Sequence, residues 1–354
     1  MRIVICWAEI SGYMAACWRA LSAYDDVDLR VIAFRSGVSH AFADSTVAGL
    51  DCRLLGPEEK SDAKLIRSLV IEHRPDAIIN VGWFHEPYNR LALDPALASA
   101  RVYLTMDTPR KDTLRQYLAR IKLRRLLRRA SGVMVAGERS WQYARFLGVG
   151  EEGIFRGNYA YDQDLYNRSL LEKRLALPTG WPRRLLFVGR YVPEKGLDVL
   201  MEAYARYRRS ATSPWGLTCC GRGPLGGLLA GREGVEDRGF TQPADLPAIF
   251  AEHGALVLPS RYEPWGVVVA EALASGMPVV CSEACGASVE LVRPHYNGML
   301  CAAGSVDSLC RAMLWLDAQG ERAREMGEAG VPLAEAFTAR MWARRWRWAL
   351  FGGQ

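Results

Sequence analysis

Pro259-Ser-Arg-Tyr-Glu-Pro-Trp-Gly-Val-Val-Val-Ala-Glu271, running on as Ala-Leu-Ala-Ser-Gly-Met-Pro-Val-Val280, carries two glutamates, Glu263 and Glu271, with seven residues between them. An apolar run over 254–258 leads into it, and Pro278-Val-Val-Cys281 follows Gly276. The pattern reads as strand, loop, helix, strand, with Glu263 just ahead of the helix and Glu271 inside it. Amides at a helix start have no carbonyl partner of their own and bind oxygen atoms. Carboxylates accept hydrogen bonds from sugar hydroxyls. The arrangement therefore suits a neutral polyol better than a metal. The plainer alternative is two solvated glutamates beside an ordinary helix.

A second cluster lies upstream. Leu185-Leu-Phe-Val-Gly-Arg-Tyr-Val-Pro-Glu-Lys-Gly196 reads as a buried strand that ends at Gly189, with Arg190 and Lys195 in the loop before a helix starting near Leu197. Gly189 leaves room for a ligand against the backbone. Two cations at the carboxyl end of a strand, beside a helix start, make a pyrophosphate site by charge and position. Arg grips phosphate through paired hydrogen bonds and Lys acts as a point charge. Cys220-Gly-Arg-Gly-Pro224 repeats the strand-then-glycine pattern with Gly221 and Gly223.

The chain has 354 residues, half of them apolar and 24% charged, which predicts two soluble globular domains. Apolar runs recur at βα spacing over 2–7, 29–34, 52–55, 77–81, 102–106 and 133–136, then over 185–188, 217–220, 235–240, 255–258, 279–281 and 299–301. Helical segments such as 63–72, 115–129 and 197–208 lie between them. Continuous rather than alternating strands predict parallel sheets covered on both faces. The fold class is therefore α/β, with two Rossmann-like domains. The first spans 1–157, a linker covers 158–182, and the second spans 183–337. Ligands in such sheets bind beyond the carboxyl ends of the strands.

Together these strings resemble the E-x7-E signature of the retaining, nucleotide-sugar-dependent glycosyltransferases of family 4. The resemblance covers the second half closely and the first half in outline. It implies the GT-B fold, with two domains facing across a cleft and a final helix, 338–354, crossing back to the first domain. It also implies that Glu263 and the backbone of Trp265, Gly266 and Val267 hold the donor sugar, that Glu271 binds the ribose, and that Arg190 and Lys195 hold the diphosphate. Gly221 and Gly223 would lie near the base. The family commonly has a glycine pair where this chain has Cys285-Gly286, four residues ahead of Glu290. Glu290 either binds near the diphosphate or sugar or caps its helix. In the loop Ala8-Glu-Ile-Ser-Gly12, the family's glycine pair is reduced to Gly12, which either approaches the donor phosphate or turns the chain.

On the acceptor side, Asp107 follows the fifth strand and His85 the fourth. Strand-end loops are where α/β enzymes keep site residues, so Asp107 and then His85 are the candidates to contact the acceptor or the transferred sugar. The alternatives are a helix cap for Asp107 and a loop histidine for His85. No D-x-D pair accompanies the site, so the reading needs no metal and no cofactor beyond the nucleotide sugar as co-substrate. The acceptor is a glycan, a glycolipid or a small molecule. A sugar-nucleotide epimerase or a non-catalytic sugar-nucleotide-binding protein on the same fold is the rival reading.

Net charge is +6. Residues 115–129 hold seven cations and no acid, interleaved with Leu114, Tyr117, Leu118, Ile121 and Leu126. The stretch is either a surface helix with its charges in water or a helix resting on anionic lipid. No RNA-binding module or DNA-reading motif accompanies the charge, which argues against a nucleic-acid partner. Nine scattered cysteines without metal-ligand spacing predict buried thiols in a reducing cytoplasm. No apolar run has membrane-spanning length, and 1–7 reads as a buried strand rather than a secretory signal. The expected location is cytoplasmic, with a peripheral place on the inner face of the membrane if the basic helix touches lipid.

Overall fold

A computed structural model describes residues 1–37 and 42–352. The chain divides into two units, one of residues 1–37, 42–160 and 339–352, the other of 161–338. The first holds seven strands: β1 (Arg2–Glu9), β2 (Asp28–Phe34), β3 (Cys52–Leu55), β4 (Ala77–Val81), β5 (Arg101–Met106), β6 (Gly132–Val135) and β7 (Ile154–Arg156). All pair in parallel, in the order β3-β2-β1-β4-β5-β6-β7. The second holds β8 (Arg184–Val188), β9 (Gly216–Cys220), β10 (Val235–Gly239), β11 (Ala255–Leu258), β12 (Val279–Ser282) and β13 (Gly298–Cys301), also parallel, in the order β10-β9-β8-β11-β12-β13. Both sheets are the expected α/β kind.

The continuous apolar strands have the cause the sequence suggested. Ile3, Ile5 and Trp7 of β1 face one core with Trp18, Trp342 and Trp346, while Val4 and Cys6 face another with Ile66, Ile78 and Tyr88. Helices cover both faces, so neither set of side chains meets water. In each sheet the strand order reverses next to the first strand, between β1 and β4 and between β8 and β11. Loops leaving those strands diverge there and open a crevice at the carboxyl ends.

The final helix, Ala339–Phe351, belongs to the first unit. Its buried Trp342, Trp346 and Leu350 recur at helical spacing and pack in the β1 core. Trp342 Nε1 donates to Asn158 O at 2.8 Å, and Tyr103 Oη donates to Ala349 O at 2.8 Å. The nine cysteines are all thiols, eight of them buried and Cys52 partly so. No helix among the described residues is long and apolar enough to cross a membrane.

Three details differ from expectation. Strand β7 has only three residues and ends a Gly-rich stretch, so no apolar run announces it. The basic segment is two helices, Leu114–Lys122 and Arg124–Arg129, broken at Leu123. Residues 161–182, read as part of a linker, instead fold within the second unit around the helix Arg168–Leu175. Arg174 explains that packing. Its buried guanidinium donates to the carbonyls of Phe250 (2.8 Å), Ser275 (2.9 Å) and Gly276 (3.0 Å). Two of those carbonyls close the helix Val267–Ala274, where no amide of the helix itself can reach them. Burial draws the guanidinium down to about 10, so it remains charged at neutral pH.

Arg174→Ala takes the guanidinium donor from the carbonyls of Ser275 and Gly276, while Phe250 O keeps the His253 amide at 3.3 Å, and is expected to lower stability by about 2 kcal/mol or more. Arg174→Lys should fall between the variant and the parent. Chemical denaturation followed by tryptophan fluorescence measures both; an unchanged midpoint for Arg174→Ala would contradict this role.

Candidate functional site

At the reversal point of the second sheet, two loops leave neighbouring strands. The loop after β8 runs through Gly189 and Arg190 to a short turn, Pro193–Lys195, and then into the helix Leu197–Ser210. The loop after β11 runs through Glu263 to the helix Val267–Ala274. Backbone amides of Arg261 and Tyr262 donate to Glu194 O at 2.8 and 3.1 Å, tying one loop to the other. Arg261 adds a two-pronged pair to Asp198, both contacts 2.6 Å, and that guanidinium holds the Asp198 carboxyl below its ordinary range. Sequence reading missed Arg261 and Asp198, because nothing local links a strand-end arginine to a first-turn aspartate on another helix.

Between the knitted loops, Lys195 Nζ donates to Glu263 Oε2 in a direct ion pair whose side chains are only 18% and 9% exposed. Arg190 is partly buried and, among the described residues, has no ion-pair or hydrogen-bond partner. One cation is thus neutralised by an acid and its neighbour is open. A Cβ on Gly189 would make ordinary contact with the Phe187 ring at 3.5 Å and with Lys195 Cδ at 3.8 Å, so the glycine lies directly against the lysine of the pair.

The helix start that follows Glu263 is clamped in place. Gly266 has φ 94° and caps the helix, and a Cβ there would sit 2.7 Å from Cys285 Sγ. Gly286 N donates to Glu263 O at 3.0 Å and Ala287 N to Trp265 O at 2.8 Å. The Cys285 thiol also donates to Trp265 O, at 2.9 Å. The departure from a glycine pair therefore has a structural use: the buried thiol braces the carbonyl that the clamp must hold. Trp265 turns its side chain into the core, 5.2 Å from the Phe337 ring, and offers the site only its backbone. The amides of Gly266 and Val267 open the helix, where no preceding carbonyl is in register to accept them.

Gly221 and Gly223 act on the loop rather than simply lying near it. A Cβ on Gly221 would come within 1.9 Å of Gly189 O, and one on Gly223 within 2.5 Å of Tyr191 O. Tyr191 N donates to Arg222 O and Leu225 N to Tyr191 O, each 2.9 Å. The second glycine turn thus fixes the path of the Gly189–Arg190 segment.

Glu271 lies one turn into the helix and is partly buried. Its carboxyl is pushed up to about 8, first by loss of water and then by the charge of Asp162. Asp162 comes from the segment read as linker, and with Asp164 it makes a D-x-D pair whose first member acts on Glu271, contrary to the expectation that no such pair accompanies the site. Glu290 is partly buried on the five-residue helix Ala287–Leu291.

In the first unit, Gly12 opens the helix Gly12–Ser22 after β1, and the buried Ser11 Oγ ahead of it has no partner. Asp107, beyond β5, accepts a hydrogen bond from Tyr159 Oη at 2.8 Å, and the Tyr159 ring packs edge-on against Tyr13 at 5.9 Å. Asp107 is therefore joined through two rings to the loop that carries Gly12. His85 has other commitments. It precedes the helix Glu86–Ala92, its Nε2 lies 2.8 Å from Lys60 O, and its ring packs against Phe34 and Tyr88. Burial lowers its pKa below the usual histidine value.

Residues 176–331 match the family model of the glycosyl transferases group 1. The matched stretch contains both loops, the Lys195–Glu263 pair and Glu271. Over 143 residues the chain is 34% identical to glycogen synthase of Mycobacterium tuberculosis, covering 38% of this chain and 34% of that protein. Over 163 residues it is 34% identical to D-inositol 3-phosphate glycosyltransferase of Segniliparus rotundus, covering 43% and 36%. The chain thus spans about a third of the length of these curated relatives. The structure superposes on that of HepE from Anabaena, solved with UDP and glucose, with a TM-score of 0.71, 19% identity and coverage of 98% and 99%. At that identity the likeness shows the fold: two parallel-sheet Rossmann-like domains of the GT-B architecture.

Glu271 sets a pH dependence with a definite sign. Its folded pKa, about 8, lies above the ordinary 4.5. The folded state therefore holds the proton more tightly, and this contribution is full below about 4.5 and lost as pH rises through about 8. Glu271→Gln should remove it, so the variant's melting temperature should gain on the parent's as pH rises through that window. A difference that stays constant with pH would refute the raised pKa.

Proposed function

We propose that the protein is a glycosyltransferase of the retaining, nucleotide-sugar-dependent kind found in family 4, taking its donor in the second unit. The observation that carries the reading is the buried Lys195–Glu263 pair beside an unpaired Arg190, at the reversal point of a parallel sheet and next to an open helix start. The named relatives are transferases, which favours transfer over epimerisation. HepE was solved with UDP and glucose, which makes a uridine diphosphate sugar the first donor to try.

In the reaction, the bond between the sugar's anomeric carbon and the diphosphate oxygen breaks, and a bond from an acceptor hydroxyl oxygen to the same carbon forms. The hydroxyl proton leaves, and the nucleoside diphosphate departs with the bonding electrons. Arg190 and Lys195 offset the charge that develops on it, in the role a divalent metal plays elsewhere. As Lys195 turns to the diphosphate, Glu263 is released to accept hydrogen bonds from sugar hydroxyls, helped by the Gly266 and Val267 amides. Glu271 takes the ribose hydroxyls. On the first unit, Asp107, oriented by Tyr159, is the group assigned to the acceptor. His85, already engaged by Lys60 O and two rings, supports that loop.

Purified protein should be stabilised against heat by a nucleoside diphosphate sugar, because a ligand bound only to the folded state raises the midpoint. With that donor and its acceptor, Arg190→Ala and Lys195→Ala are each expected to lower turnover by roughly a hundredfold or more. Circular dichroism checks that both variants remain folded. Near-parental turnover in both would reject these roles.

A further inference from the structure

An amphipathic surface helix normally turns its apolar stripe inward. The helix Leu114–Lys122 does the reverse. Leu114, Tyr117, Leu118 and Ile121 recur at helical spacing, which puts them on one face, yet they are 76%, 49%, 47% and 74% exposed. The buried position of this helix is taken by a polar residue, Gln116, which accepts from Lys111 N at 2.7 Å and donates to Pro109 O at 2.8 Å. The break at Leu123 lets Leu126 of the next helix reach the core without turning the stripe inward. Another large apolar side chain, Phe84, is 63% exposed in the loop after the neighbouring strand β4.

Along the two helices the charge has one sign. No acid occurs anywhere between Asp112 and Glu138. Arg115, Lys122, Arg124, Arg125 and Arg128 are exposed and, among the described residues, none has an acidic partner. Arg129 is the exception, since it donates to the carbonyls of Leu97, Ala98 and Ala100 and serves packing. Arg120, Arg124 and Arg128, with the acid Glu152 on the far side in sequence, also line a groove of about 720 Å³ beside the two helices.

We propose that this face, the outward stripe of Leu114–Lys122 together with the unpaired cations of both helices, docks the protein on an anionic lipid bilayer. Exposed apolar side chains flanked by cations match the two layers such a surface offers, acyl chains beneath and phosphate headgroups above. Cations without acids match its negative potential, each contributing roughly fivefold to the membrane partition constant. A nucleic acid would use the cations and leave the stripe in water. The proposal stands independently of the transferase reading.

The test is sedimentation of the full chain with vesicles of phosphatidylcholine alone and of phosphatidylcholine with phosphatidylglycerol. The protein should pellet with the anionic vesicles, not with the neutral ones, and added salt should weaken the binding. Two variants alter only exposed side chains, so circular dichroism should match the parent: L114S/I121S, and R124E/R125E/R128E. Each is expected to lower binding to anionic vesicles at least fivefold. Failure to pellet, equal pelleting with both vesicle types, or unchanged binding by L114S/I121S overturns the proposal. Displacement from anionic vesicles by an equal mass of RNA would also overturn it, in favour of general polyanion binding.

Discussion

Lys195 and Glu263 lie on loops that leave adjacent strands β8 and β11, and each makes the other's burial tolerable. A buried charge without a counter-charge costs several kcal/mol, so neither side chain could sit there alone. The pair therefore constrains both loops, and the Arg261–Asp198 pair and the amide bonds to Glu194 O hold them in register. From that constraint the remaining geometry follows. Arg190 is carried to the open side of the loop, and the glycine turn at Gly221–Gly223 fixes its path. The helix start at Gly266 is brought beside Glu263 and pinned by the Cys285–Ala287 segment.

Under the proposed function, the pair is also the resting state that an incoming diphosphate would displace. Phosphate oxygens compete with Glu263 for the ammonium, and the unpaired Arg190 adds attraction that Glu263 does not oppose. Once Lys195 turns away, the buried carboxylate needs a new donor, and sugar hydroxyls supply it. In the proposed function, diphosphate and sugar would thus be recognised through one linked exchange of partners rather than by two separate pockets.

Much of this was legible in the sequence because it is local. Parallel strands buried on both faces are apolar, so the central strands announce themselves; the edge strand β10, Val-Glu-Asp-Arg-Gly, is charged and partly exposed, and β7 has only three residues. The spacing of Glu263 and Glu271 across one loop and the helix that follows it, and of Arg190 and Lys195 along one loop, is likewise a short-range property. What stayed hidden depends on contacts distant in sequence. Asp162 reaches Glu271, and Arg174 reaches Gly276, only because residues 161–182 fold back on the second unit. The direction of an apolar stripe is equally invisible, since Leu114 and Ile121 give the same periodicity whether they face core or solvent. Cys285 read as a departure from a pattern, and its thiol bond to Trp265 O is a tertiary fact.

The two sheets share one device with different contents. Each reverses strand order beside its first strand and sets a glycine or a helix start there, Gly12 after β1 and Gly189 after β8. The second unit adds cations and acids at that point. The first adds Asp107 and the rings of Tyr159 and Tyr13. The most direct measurement is a crystal structure with an intact nucleoside diphosphate sugar bound. The expected result has diphosphate oxygens within hydrogen-bond reach of Arg190 and Lys195, the Lys195–Glu263 contact opened, and a sugar hydroxyl on Glu263. A bound donor that leaves that ion pair closed and touches neither cation would contradict it.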